Sequence, residues 1–178
     1  GLFRRSGNER VIERLHGDIV AAVRRPVLYT DYGVADTFEG RFELLALCAT
    51  LLVRRLASLP SPAPELSQDL TDRIFSELDA AMRELGVGDL AVPKRIKKFA
   101  EAFLGRRKAY DAALSAQSFE QLAAAIARNV YGLEGEEGAA RAMRLTRYAF
   151  AVEAALGEVS LETFKSGSAP FPAPEATE

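Results

Sequence analysis

Apolar residues recur along most of the chain at three- and four-residue steps, the period of an α-helix with one buried face. Ile12, Leu15, Ile19 and Val23 mark the first such stripe. Ser6, Gly7, Asn8 and Glu9 precede it in the pattern of a capping box, where a hydroxyl caps a backbone N–H and the glutamate reaches back. Arg24, Arg25 and Pro26 predict its end, because cations suit the negative helix pole and the residue before proline disfavours helix. Residues 26–35 hold two tyrosines and a glycine and read as an ordered loop. Asp36 is the expected cap of a second helix running to about Leu56. Phe38, Phe42, Leu45, Ala49, Leu52 and Leu56 form its stripe, and it is apolar around so much of its circumference that it is expected at the centre.

Pro60, Pro62 and Pro64 predict a stiff connector. A third helix follows over residues 66–85, with Leu70, Ile74, Leu78, Met82 and Leu85 on one face and Gly86 as its C-terminal cap. Pro93 fits the first turn of a fourth helix, where a missing N–H costs nothing. Ile96, Phe99, Phe103, Tyr110 and Leu114 give its inner face, and Gly105 is expected to kink or split it. Ser118 and Gln121 form another capping box, opening a fifth helix through Leu122, Ile126 and Val130 that Gly132 closes. The sixth spans about residues 137–156 with Met143, Tyr148, Val152 and Leu156 inward, and residues 160–165 fit one last turn. No strand pattern competes, and no fixed-period repeat is evident. The expectation is all-α: a single compact domain of about six helices over residues 1–166, then a disordered Pro/Ala-rich tail over 167–178.

Composition narrows the function classes. The chain has 178 residues, 48% apolar and 27% charged, with a net charge of −2. These values are ordinary for a globular protein and argue against bulk attraction to nucleic acid, DNA included, or to acidic lipid, while leaving either open to local basic clusters. The one cysteine, Cys48, lies in an apolar run, so a disulfide framework is excluded and a core thiol in a reducing compartment is expected. No run of about 18 or more apolar residues predicts a membrane span. Neither a secretory signal nor an Arg/Ser-rich presequence is visible. Gly1 is not a natural start, which leaves a preceding segment open.

Catalytic chemistry finds little support. His16 is the single histidine. Glu13 and His16 have the Glu-x-x-His spacing of di-iron bundles, but such sites need that motif on two helices. Gly86-Val87-Gly88-Asp89 follows a helix rather than a strand and lacks the rest of a nucleotide-binding fingerprint, so a cap and turn are expected. Asp36, Glu39 and Glu43 lie about one turn apart, and capping plus favourable dipole placement accounts for the first two. No catalytic residue, metal or cofactor is therefore expected. The densest basic patch is Lys94-Arg95-Ile96-Lys97-Lys98, with Arg106-Arg107-Lys108 beyond. It occupies the first turns of a helix, the unfavourable pole for cations. An acidic partner, RNA phosphates and anionic headgroups all fit it, as does a solvated face; no interleaved aromatics support base stacking.

Two blocks go further. Tyr32-Gly33-Val34-Ala35-Asp36-Thr37-Phe38-Glu39-Gly40-Arg41-Phe42-Glu43 resembles the signature of the ubiquinol–cytochrome c chaperone family. The run from Met82 to Leu90, continuing through Val92-Pro93-Lys94-Arg95-Ile96-Lys97-Lys98 to Ala102-Phe103-Leu104-Gly105-Arg106 and Ala109-Tyr110, resembles its second block. The likeness covers about residues 10–160, in order and spacing; Cys48 departs from it, standing where histidine is expected in many relatives. It implies a non-enzymatic assembly factor for the cytochrome bc1 complex. The implied partners are newly made cytochrome b or other bc1 subunits, the ribosome and a small partner protein; the basic patch adds an anionic membrane surface. A chain without a visible presequence resembles the alphaproteobacterial kind, in the cytoplasm and peripheral to the inner membrane. The partner-binding candidates flank two loops: Asp31, Tyr32, Asp36, Arg41 and Glu43 at the first, and Asp89, Lys94, Arg95, Lys97 and Lys98 at the second. Arg41 and the acidic residues fit an internal salt-bridge set equally well. Two other readings stand beside this one: a peripheral module that binds anionic lipid, and a small-molecule enzyme using the carboxylates of 31–43.

Overall fold

The computed structural model describes residues 2–174. Among them there is no strand, and the helices pack around one buried element. Helix α1 (Leu2–Val23) buries Ile12, Leu15, Ile19 and Val23 and stops before Pro26, as its stripe predicts. Its backbone is already helical at residue 2, well before Ser6, whose side chain lies outside the described residues. The loop that follows is ordered and contains a short helix, α2 (Val27–Thr30), pinned by the buried side chains of Leu28, Tyr32 and Val34.

Helix α3 (Phe38–Ala57) is the central one, packed against α1, against α4 (Ala63–Glu84), α5 (Val92–Ser115) and α7 (Gly135–Gly157). Its cap is Thr37, one residue later than expected: the Thr37 hydroxyl accepts from the Gly40 N–H at 3.1 Å. Asp36 is thereby free to pair with Arg41 instead. Helix α4 buries Leu70, Ile74, Leu78 and Met82, but Leu85 is turned outward. The chain unwinds there into a Schellman turn, with Gly86 at φ +81°, its N–H bonded to Arg83 O and the Val87 N–H to Met82 O. Helix α5 runs unbroken through Gly105, contrary to the expected kink, because no neighbour crowds that position and the flanking Phe103 and Tyr110 anchor the helix on both sides.

Helix α6 (Phe119–Ile126) starts where Ser118 caps the Gln121 N–H and passes directly into a π-helical turn, Ala127–Tyr131, closed by left-handed Gly132. Helix α7 buries Tyr148, Val152 and Leu156, while Met143 is 41% exposed rather than inward. Helix α8 (Leu161–Lys165) is capped by Ser160. Residues 167–174, expected to be disordered, lie along the bundle. Ala169 and Phe171 are buried, the Ala169 N–H donates to Asp18, and Pro172 and Pro174 carbonyls accept from the Tyr148 and Tyr32 hydroxyls. Two phenols that need acceptors hold a segment whose composition alone carries no such signal; residues 175–178 lie outside the described residues. No helix among the described residues is long and apolar enough to cross a membrane.

Candidate functional site: a cleft between α3 and α5

The first turns of α3 and the first half of α5 do not close on each other. They leave a cleft of about 640 Å³, with Phe42 and Glu43 on one wall and Arg95, Lys98, Phe99 and Ala102 on the other. Local sequence builds each wall. On α5 the residues 95, 98/99, 102 and 106 recur at helical spacing and so share one flank. On α3, Gly40 lets the incoming loop lie against the helix: a Cβ there would overlap the Ala35 carbonyl oxygen. The π turn supplies Asn129 and Val130 as the third side.

The floor is aromatic. Phe99 stacks at a tilt on Phe42, with ring centroids 4.7 Å apart, and meets Phe38 edge-on at 5.5 Å. Glu43, a carboxylate in a buried position, accepts from Arg106 Nε at 2.5 and 2.6 Å. The same guanidinium lies 5.8 Å from the Phe42 ring centroid and donates to Ala102 O. Burial pushes the Glu43 carboxyl above the usual carboxylate range, outweighing the Arg106 guanidinium that pulls it down, while Arg106 itself is raised by its bond to Glu43. The cleft thus offers an apolar floor, a charge pair in which Arg106 takes up the Glu43 carboxylate, and the cations Arg95 and Lys98 at the exposed rim.

Three of the sequence candidates, Glu43, Arg95 and Lys98, come together in this cleft. The others do not. Asp36 and Arg41 form an exposed ion pair at 2.8 Å, and Arg41 lines a smaller apolar groove with His16, Tyr29 and Glu77. Asp31 is exposed and accepts from the Thr30 hydroxyl. Tyr32 is buried; its carbonyl accepts from the Tyr131 hydroxyl at 2.8 Å, and burial pushes that tyrosine up to about 12. Asp89 pairs with Arg83 at 2.6 Å. Lys94 and Lys97 are exposed away from the cleft lining. Sequence reasoning missed Arg106 as the partner of Glu43 and Asn129 and Val130 as a wall. The one available signal was the small Ala102 between Phe99 and Arg106, which leaves room on that flank.

A reaction centre built on the 31–43 carboxylates would need them convergent and accessible. Asp36 points to Arg41 and Glu43 to Arg106 instead. Among the described residues no group of three or more His, Cys, Asp or Glu side chains is placed to hold a metal. His16 is half-buried, which lowers its basicity, and Cys48 is fully buried with its thiol pushed up to about 12.

Comparison with known proteins identifies the family and the fold. A family model described as Ubiquinol-cytochrome C chaperone matches residues 30–171, a span that contains both walls of the cleft. Among solved structures, the crystal structure of the Cbp3 homolog from Brucella abortus is similar at 37% sequence identity. The match covers 99% of this chain and 98% of that one with a TM-score of 0.87. No curated protein matches the chain.

Proposed function

The chain belongs to the ubiquinol–cytochrome c chaperone family, and from that premise we propose that it assists assembly of the cytochrome bc1 complex by holding newly made cytochrome b in the α3–α5 cleft. The observation that carries the reading is the cleft itself: an aromatic floor, Phe42 and Phe99, beneath a rim bearing Arg95 and Lys98. A client destined for a membrane presents apolar helix surface, and a groove between amphipathic helices is a recurring way to cover it. Contact of this kind is worth roughly 25 cal/mol per Å² before ordering costs, so a cleft of this size binds reversibly and releases its client without chemical work. The rim cations suit acidic client loops or ribosomal RNA near the site of synthesis. On the same resemblance we propose other bc1 subunits, the ribosome and a small second assembly protein as further partners, and the bacterial cytoplasm against the inner membrane as the place of work.

Site-specific photocrosslinking in the native host tests this. A crosslinker at Phe99 is expected to capture nascent cytochrome b, and one at half-buried Glu153, on α7, is not. Arg95→Glu with Lys98→Glu is expected to cut that capture several-fold while leaving helical content intact. Capture at position 153 but not 99, or unchanged capture in the double variant, sinks the assignment of the cleft.

A further inference from the structure

Helix α5 has a second flank, and the loop leading into it carries a leucine that nothing covers. Leu90 is 98% exposed, Leu85 68% and Leu104 57%. The loop is nevertheless well formed. Met82 and Val92 are buried at its two ends, Gly86 closes the Schellman turn, and the Ala91 and Val92 N–H groups both donate to Gly88 O. Leucine is thus presented outward by a fixed turn, not left over from a loose one.

The charge around it is lopsided. Between Val92 and Ser115 there are seven cations and two acids. Arg106 is engaged with Glu43 and Asp111 with Arg54, leaving six cations against Glu101 in a chain whose net charge is −2. No acidic residue occupies the first turn, where a helix would favour one. Lys97, Glu101, Leu104 and Lys108 follow one another at three- and four-residue steps and are all exposed, so they share the flank turned away from the cleft. Lys94 to Lys108 spans about 21 Å at the helical rise. Nearby Asp89 is neutralised by Arg83.

We propose that this flank and the Leu85–Leu90 turn dock on an anionic lipid surface, with the leucines entering the headgroup boundary and the lysines resting on phosphates. Positive charge alone suits RNA equally well, but exposed leucines gain nothing from a phosphate backbone and gain burial at a bilayer. A stripe of cations with apolar side chains at its tip is the complement of a lipid interface. Docking this way leaves the opposite flank of α5, which lines the cleft, unobstructed.

Sedimentation of the full chain with vesicles at low salt tests the proposal. Binding is expected to vesicles of phosphatidylcholine mixed with phosphatidylglycerol and not to phosphatidylcholine alone. Lys97→Glu with Lys108→Glu should weaken it about tenfold or more, and Leu90→Asp about tenfold. The chain contains no tryptophan, so Leu90→Trp adds a single reporter whose emission should shift to the blue on the anionic vesicles. All these positions are exposed, and unchanged helical content confirms that the variants fold. Failure to sediment, an unshifted Leu90→Trp emission, or binding to polyuridylate in place of vesicles overturns it. The assay contains no client, so failure here leaves the reading of the cleft standing.

Discussion

At the C-terminal end of α3, Arg54 and Arg55 reach sideways and lock the neighbouring helices. Arg54 bridges Asp111 on α5 and Glu153 on α7, each at 2.7 Å. Arg55 donates to the carbonyls of Leu156, Gly157 and Val159, adding charged donors to the C-terminal end of α7 and the turn beyond it. At the N-terminal end the same helix meets α5 across an opening, tied by the one pair Glu43–Arg106 and a few aromatic rings. The contrast shows how a single helix can serve as both frame and binding wall. Several donors directed at backbone carbonyls make a joint that does not give, and side chains facing a gap make one that accepts something else.

Three changes would break or sharpen that contrast. The largest effect is expected from Gly40→Ala. The added methyl collides with the Ala35 carbonyl, so the loop before α3 must move, at a cost of about 3 kcal/mol in urea unfolding. A variant as stable as the parent would mean that this wall is soft. Arg55→Ala comes next. Losing a charged donor shared among carbonyls that are partly out of water should cost about 2 kcal/mol, with hydrogen exchange rising first at residues 156–159. Exchange rising equally in α3 and α5 would show that the joint is not local.

Glu43→Gln is the mildest and tests the open end by pH. The folded carboxyl holds its proton to higher pH than the unfolded one, because burial outweighs Arg106. Between those two values the folded chain binds more protons. The Glu43 contribution is therefore greatest at low pH and is lost as pH rises through the folded value. Unfolding midpoints at acidic and neutral pH should show glutamine improving relative to glutamate as pH increases. The reverse trend would mean that attraction to Arg106 outweighs desolvation, and that the pair is a staple after all.

The sequence pattern was enough for the helices because each stripe is local: Ile12 to Val23, Phe42 to Leu56, and Leu70 to Met82 all turned inward. It failed where a residue's fate depends on something distant. Leu85 and Met143 continue their helices' periodicity, yet both face outward, 68% and 41% exposed. The tail 167–174 has the composition of a free end, and only Tyr32, Tyr148 and Asp18, more than 20 residues away in each case, hold it down. The cap falls on Thr37, one position after the expected Asp36, and leaves Asp36 to pair with Arg41. The candidate site suffers most from this. Glu43 and Arg106 are 63 residues apart, and no local rule pairs them. The basic block was legible as charge, but not its division into one flank facing a cleft and another facing outward.

The π turn over Ala127–Tyr131 carries one peptide unit more than an α-helical turn would hold. That surplus works as a phase shift between two gears: it brings Asn129 and Val130 round to the cleft while Tyr131 engages Tyr32 behind it. Deleting one residue there would turn the following segment by about 100°, and α7, which packs on α3, would have to be re-seated. A single-codon insertion or deletion in this turn would thus reshape the third wall and disturb the seat of α7 together, so the outline of the groove is geared to the frame that carries it.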